Sequence, residues 1–351
     1  MTAVLESPAV AAPARAGSGS VWAASARRFR SDRAGMVSLA IVVVFLLIVV
    51  AAGLGLVAKD WQVEYAVPDA PPTFLGPAPP TESITVAAPS GPNVDISAVD
   101  PLAPRYKEWD EAAKKYQTKA AVKAETLPFG ADRLGRDVLA KAIKGAQVSI
   151  LVGVSAALLA TAIGTLLGAL AGFFGGRVGD LLEWLYNVFT AIPGILLIFA
   201  FAAVFGRGIG SVVLILGLAG WPGIYRIVRA EFIKHVVRDY VRSAEAIGAG
   251  NVSRMFRHIL PNVGHVVLVQ LSIYVVGFIK SEVILSYLGL GVRVDQVSWG
   301  TMLAEAQSDL ILGHWWQLAA ATAMMAVFVT AFSIMTDSLR DALDPKLRGL
   351  E

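Results

Sequence analysis

Tyr240-Val-Arg-Ser-Ala-Glu-Ala-Ile-Gly-Ala-Gly-Asn-Val-Ser-Arg-Met-Phe-Arg-His-Ile-Leu-Pro-Asn262 is a polar, basic island between long apolar runs. Tyr225 to Ala246 has helical character and Gly248 and Gly250 permit a tight reversal. Asn251 or Ser253 then caps a second helix that runs to His258, and Pro261 stops it. Two short helices meeting at glycines make a compact knob. Ile247, Val252, Met255, Phe256 and Ile259 give it an apolar docking face ringed by arginines. A helix lying on lipid headgroups explains the arginines, but not the glycine pivot or the proline stop.

Outward from the knob the chain is too apolar for an ordinary water-soluble domain: 56% of its 351 residues are hydrophobic and 16% charged. It reads as an all-α polytopic membrane protein. The net charge of +3 does not point to nucleic acid, because the basic residues cluster loop by loop, as membrane topology requires. With no cysteine, disulfides, thiolate metal sites and cysteine nucleophiles are excluded.

Six apolar segments have the length that crosses a hydrocarbon core: 36–57, 149–174, 182–205, 209–224, 263–290 and 317–335. The fourth is short and Gly-rich. The first lies too far behind the N-terminus for a cleaved signal peptide and is expected to stay as an anchor. Arg27, Arg28, Arg30 and Arg33 precede it, and Arg226, Arg229, Lys234, Arg238, Arg242, Arg254 and Arg257 lie between spans four and five. Both groups belong in the cytoplasm, which places both termini there.

These signals divide the chain into a cytoplasmic tail with an interfacial helix (1–35), a first span (36–57) and an extracytoplasmic loop (58–145). A five-span core (146–338) follows, containing the cytoplasmic loop 225–262, and then a C-terminal tail (339–351). Residues 1–20 have the Ala, Pro and Ser content of a disordered tail. Ten of the 17 prolines fall between Pro68 and Pro104, which forbids continuous helix there, and Asp110 to Glu125 offers one charged helix. Composition leaves that loop open as a spacer, a cap or a docking surface.

Ala156, Ala160, Gly164, Gly168 and Gly172 recur every fourth residue in span two, a packing seam on one helix face. Pro193 and Pro222 are expected to kink or end spans three and four. Lys280 and Glu282 in span five are costly in a membrane and need a reason. One reading makes them pathway or gate residues, with Pro193; the other puts Glu282 at the outer end of its helix. No catalytic constellation is present. Glycine clusters at 172–176 and 206–210 lack the lysine of a phosphate loop, and His235, His258, His265 and His314 lack metal-ligand spacing. No cofactor is expected on this chain.

At the knob the chain resembles the membrane subunits of bacterial ABC importers, whose cytoplasmic loop reads E-A-A, three residues, G, then nine residues leading to I-x-L-P. The matching register is Arg242-Ser-Ala244, Gly248, His258, Leu260 and Pro261. The family's leading glutamate is Arg242 here, with Glu245 three residues on, on the same helix side. The form Arg257-His-Ile-Leu-Pro-Asn262 is similar to the peptide/nickel branch. So are Gly130-Ala-Asp-Arg-Leu-Gly-Arg-Asp-Val-Leu139, Gly172-Phe-Phe-Gly-Gly176, Ile192-Pro-Gly194, Leu285-Ser-Tyr-Leu-Gly-Leu-Gly291, Ser298-Trp-Gly300 and Asp341-Ala-Leu-Asp-Pro345. The ordered series covers nearly everything from Phe129 onward, and the arginine-rich helix before span one resembles the C-type subunit.

That resemblance implies a type I importer permease with six transmembrane helices in a bacterial inner membrane. Its implied partners are a second homologous permease subunit, two ABC ATPase subunits that bind ATP and Mg, an extracytoplasmic substrate-binding protein and membrane lipid. The implied substrate is a dipeptide or oligopeptide, with nickel or a glutathione-like or murein peptide as alternatives. Coupling to the ATPase then falls to Arg242, Ala244, Glu245, Gly248, His258, Leu260 and Pro261. A secondary transporter would need internal repeats and mid-membrane carboxylates, and no half of the chain is repeated. A membrane scaffold with a docking loop is the other rival.

Overall fold

A computed structural model describes residues 21–77, 100–102, 105–115 and 123–343. Among these the regular structure is helical. In chain order the helices are α1 (Val21–Ser31), α2 (Arg33–Gly53), α3 (Tyr106–Lys115), α4 (Val138–Phe174), α5 (Gly176–Thr190), α6 (Gly194–Phe205), α7 (Ile209–Val236) and α8 (Asp239–Ala246). They continue with α9 (Asn251–Tyr287), α10 (Trp299–Ile311) and α11 (Trp316–Leu343). The expected tail at 1–20, most of the proline run and the end of the C-terminal motif lie outside the described residues.

Five helices, α2, α4, α7, α9 and α11, are long and apolar enough to cross a membrane, and α5 with α6 forms a sixth segment bent by 88°. Contacts at the two ends of the bundle decide how that bent pair runs. At one end, Phe232 of α7 packs where a Cβ on Gly172 of α4 would sit, four residues before α5 begins. At the other, the Gly208 N–H donates to the Gly291 carbonyl at 3.0 Å, beyond the outer end of α9. The pair α5–α6 therefore starts on one face and finishes on the other, so the bundle has six crossings. Ser338 near the end of α11 donates to Asp32 at the start of α2, which puts both ends of the described bundle on the arginine-rich, cytoplasmic face.

The helices overrun the apolar segments from which they were read. Span two begins at Val138 because Asp137 caps it, accepting from the Leu139 N–H at 2.8 Å. Span four is not short; α7 runs 28 residues with Pro222 inside it rather than at its end. Span three breaks at Pro193, the residue before α6. Hydropathy registers the thickness of the hydrocarbon, whereas a helix continues until its backbone finds a cap.

The core lies where α4 packs along α7 and α9. On the outer face, described parts of the loop pack down as a thin layer, with isolated bridges pairing Glu64 with Arg136, Ala66 with Ala124 and Pro72 with Leu127. Ala66, Ala70 and Ala131 are buried in it, with Leu127 packed against them. The charged helix sits earlier than expected, at Tyr106–Lys115, and Ala124 pairs in a bridge instead of continuing a helix.

Candidate functional site

The knob is built by backbone geometry first. α7 ends at Val236, Arg238 is extended, and α8 follows for two turns. Gly248 then adopts φ +87°, its N–H donates to the Glu245 carbonyl at 2.9 Å, and the Ala249 N–H reaches the Ala244 carbonyl at 3.0 Å. That paired closure, with a left-handed residue just past the helix, favours glycine because it has no Cβ. Gly250, extended and without a side chain, precedes α9; neither Asn251 nor Ser253 is its cap.

Pro261 does not stop the second helix. α9 runs through it after a π-helical turn at Arg254–Ile259, where the Leu260 N–H donates to the carbonyl of Met255. A wide turn absorbs the carbonyl that the imino residue leaves without a donor. Asn262 adds a side-chain bond to the His258 carbonyl at 2.7 Å.

The apolar face divides in two. Met255 and Ile259 turn inward with Val241 and Ala244 and join the main core, which corrects their assignment to a docking face. Ile247, Val252 and Phe256 remain exposed, the first two at 85% and 70%. Arg242, Glu245 and Pro261 are exposed, and His258 and Leu260 half-buried. Glu245 accepts an ion pair from Arg254 at 2.6 Å, and the same guanidinium bonds Asn251 and lies 5.3 Å from the ring centroid of Phe173 in α4. Arg254, which the sequence reading counted only as a basic loop residue, thus straps the knob to the inner end of α4.

Behind the knob, the small-residue seam lies against α7. A Cβ on Gly164 would come within 2.7 Å of the Trp221 carbonyl oxygen, on Gly168 within 2.8 Å of that of Tyr225, and on Gly172 within 2.7 Å of that of Arg229. Ala156 and Ala160 are fully buried further out. Backbone approaches backbone on three successive turns, so α4 and α7 form one closely packed pair.

Glu282 is enclosed within the chain, accepting from Ser149 of α4 and Ser286 of α9, each at 2.6 Å. Ser149 Oγ also accepts from the Trp299 N–H of α10 at 3.2 Å, so one carboxylate ties three helices together. Lys280 points away, exposed, and Pro193 is exposed at the α5–α6 bend. A second outer knot was missed in the sequence. Lys141, 1% exposed in α4, bonds Asp132 at 2.7 Å and Glu305 of α10, while Gln317 of α11 lies at 3.4 Å. Burial alone would raise the Asp132 carboxyl; the Lys141 charge and hydrogen bonds from Arg136 and Lys141 outweigh it and hold the group below its usual range. Asp309 shifts the other way, held up by burial and by the Asp69 carboxylate against Arg133. The signal for the Lys141 knot was a lysine three residues inside a helix that hydropathy started too late.

With this geometry in hand, comparison with known proteins is decisive. Residues 164–349, over half the chain, match the family described as binding-protein-dependent transport system inner membrane component. The chain belongs to that family. Residues 20–72 of this permease also match the N-terminal TM domain of oligopeptide transport permease C, so α1 and α2 fall in one model and α5 to α11 in the other.

The permease is 36% identical to the dipeptide transport system permease protein DppC of Bacillus subtilis (strain 168) over 220 residues, 63% of this chain and 69% of that one. It is 32% identical to the oligopeptide transport system permease protein OppC of the same strain over 252 residues, 70% and 81% of the two chains. It is 39% identical to the glutathione transport system permease protein GsiD of Shigella dysenteriae serotype 1 (strain Sd197) over 223 residues, 63% and 73%. It is a multi-pass inner-membrane permease subunit of an ABC importer. Its family implies a companion permease, ATPase subunits and a binding protein in general terms.

Proposed function

We propose that this permease forms half of a pathway that imports peptides, and that an ATPase subunit grips it at the hairpin around Gly248. The observation that carries the reading is mechanical: both arms of the exposed knob lead into spanning helices, α9 without a break and α8 through the short bend at Val237–Arg238 into α7. A partner holding Ile247, Val252 and Phe256, with Arg242 and His258 at the rim and Ala244, Leu260 and Pro261 setting the arms' angle, pulls on two spanning helices at once. Because α7 is locked to α4 along the glycine seam, a pull on the knob tilts that block as a unit. ATP and Mg bound by the partners then bias a two-state bundle between inward- and outward-open forms.

Peptide is the substrate class favoured by the names of the relatives, which include a dipeptide, an oligopeptide and a glutathione system. Arg242 replaces an acidic contact by a basic one, so the ATPase groove that receives it carries acidic groups.

The test is Gly248→Asp in the complex reconstituted with its companion permease, ATPases and binding protein. Nothing lies within 4 Å of a Cβ at Gly248, so the variant folds at a backbone cost of about 1–2 kcal/mol. Membrane insertion is expected to persist while substrate-stimulated ATP hydrolysis disappears; unchanged stimulation sinks the docking assignment. Stimulation by dipeptides, longer oligopeptides, glutathione, murein peptides and nickel, each with the cognate binding protein, sorts the substrate.

A further inference from the structure

A groove of roughly 700 Å³ runs between α2 and α11 near the cytoplasmic face. Its walls are Val37 and Ile41 from α2 and Val327 and Ile334 from α11, and it is hollow because Ala34, Ser38, Ala326 and Ala331 are small. Arg33 stands at its inner end, exposed. We infer that this groove is a binding site for an anionic phospholipid of the inner leaflet, with an acyl chain between α2 and α11 and the phosphate on Arg33.

Three observations converge on that occupant. The first is depth. α2 has 21 residues, so it spans about 31 Å, the thickness of the hydrocarbon, and puts Arg33 at headgroup level. From Arg33 to Ile41 is about 12 Å along the axis, less than the depth of one leaflet, and the lining is almost entirely apolar. The cavity also falls within the range of about 300–1,000 Å³ usual for ligand pockets.

The second is charge. Arg27, Arg28 and Arg30 of α1 and Arg340 of α11 stand at the same face as Arg33, against Asp32, Asp337 and Asp341. Asp32 is occupied, accepting from the Ala34 N–H at 3.0 Å and from Ser338. Arg33 has no ion-pair partner among the described residues. A zwitterionic headgroup gains little from this excess, whereas an anionic one gains an ion pair at Arg33.

The third is the wall itself. Val37, Val327 and Ile334 are 62%, 49% and 39% exposed on two helices that are long and apolar enough to cross a membrane. Between these ridges the groove is filled by a chain that conforms to it, and a lipid tail does so without a cost in buried polar groups.

The test uses the full-length protein in phosphatidylcholine bilayers, with spin-labelled phosphatidylglycerol or spin-labelled phosphatidylcholine as the probe. The motionally restricted fraction is expected to favour phosphatidylglycerol by about fivefold, and Arg33→Gln is expected to abolish the preference. Val327→Trp, on an exposed wall, fills the groove without touching the charge and is expected to remove the preference for phosphatidylglycerol while leaving the boundary lipid common to both probes. Inorganic phosphate in excess is expected to displace nothing, because the acyl chain supplies part of the affinity. The inference is overturned if the two lipids compete equally, if Arg27→Gln and Arg30→Gln reduce the preference as much as Arg33→Gln, or if free phosphate displaces the probe. Loss of the phosphatidylglycerol preference in the assembled importer also overturns it, since a subunit then covers the groove.

Discussion

Lys141 is the residue on which the outer face turns. It is a buried cation with two carboxylate partners, and Arg136 lies 2.6 Å from Asp132 beside it. Removing one member of a buried pair costs more than the pair contributes, because the survivor stays buried. Lys141→Met is expected to destabilise the outer layer by about 3 kcal/mol, the low end for a broken buried pair because Arg136 still faces Asp132. Adding Asp132→Asn is expected to return part of that loss. Trp299 and Trp316, both buried near the knot, report the unfolding midpoint by fluorescence.

The two shifted carboxylates give opposite pH signatures. Asp132 is depressed, so its stabilisation is complete above the ordinary value of 3.8 and is lost as pH falls through its lower folded value. Asp309 is raised, so its charge costs stability near neutral pH and the cost is relieved as pH falls toward its folded value above 3.8. Asp309→Asn is therefore expected to raise the midpoint near neutral pH, by an amount that shrinks with acidification; a constant offset across that range argues against the assignment.

Among elements, a glycine inside the α4–α7 seam and a helical glycine outside it behave oppositely. Gly168→Val drives a side chain into the Tyr225 carbonyl at 2.8 Å and Val228 at 3.0 Å. It is expected to cost about 1–3 kcal/mol and to loosen the contact between α4 and α7. Gly277 lies in α9 with nothing within 4 Å, so Gly277→Ala is expected to be neutral or to stabilise by about 0.5–1 kcal/mol. Thermal midpoints of the two variants, measured side by side, check the difference in sign. The periodicity of Gly164, Gly168 and Gly172 was plain in the sequence, but which helix they met was not, because a small-residue stripe carries no information about its partner. The same limit applies to the knob. Spacing located the pivot at Gly248, whereas the inward turn of Met255 and Ile259 depends on a π-helical turn that no hydropathy pattern encodes.

At the scale of the whole molecule, the bend at Pro193 matters most for topology. A bent pair of helices returns to its own side if it is re-entrant and emerges opposite if it crosses; here Gly172 and Gly208 sit at opposite ends of the bundle. The chain has no cysteine, so single cysteines report without background. Cysteines placed at exposed Arg177 and Arg207 are expected to react with an impermeant maleimide from the cytoplasmic and outer sides respectively. Labelling of both from one side would reduce the crossings to five.

The sequence alone determined that this chain lives in a membrane, which face its arginines occupy and where the knob pivots. Each of these follows from a local cause: the transfer cost of apolar and charged side chains, or the backbone freedom of a glycine. Only the tertiary structure decided that Glu282 is enclosed by serines, that Lys141 joins three outer elements and that α4 is locked to α7. Each depends on groups far apart in the chain, up to 176 residues for Lys141 and Gln317. A buried charge is tolerated only where packing delivers its partners, and packing is a property of the assembled bundle.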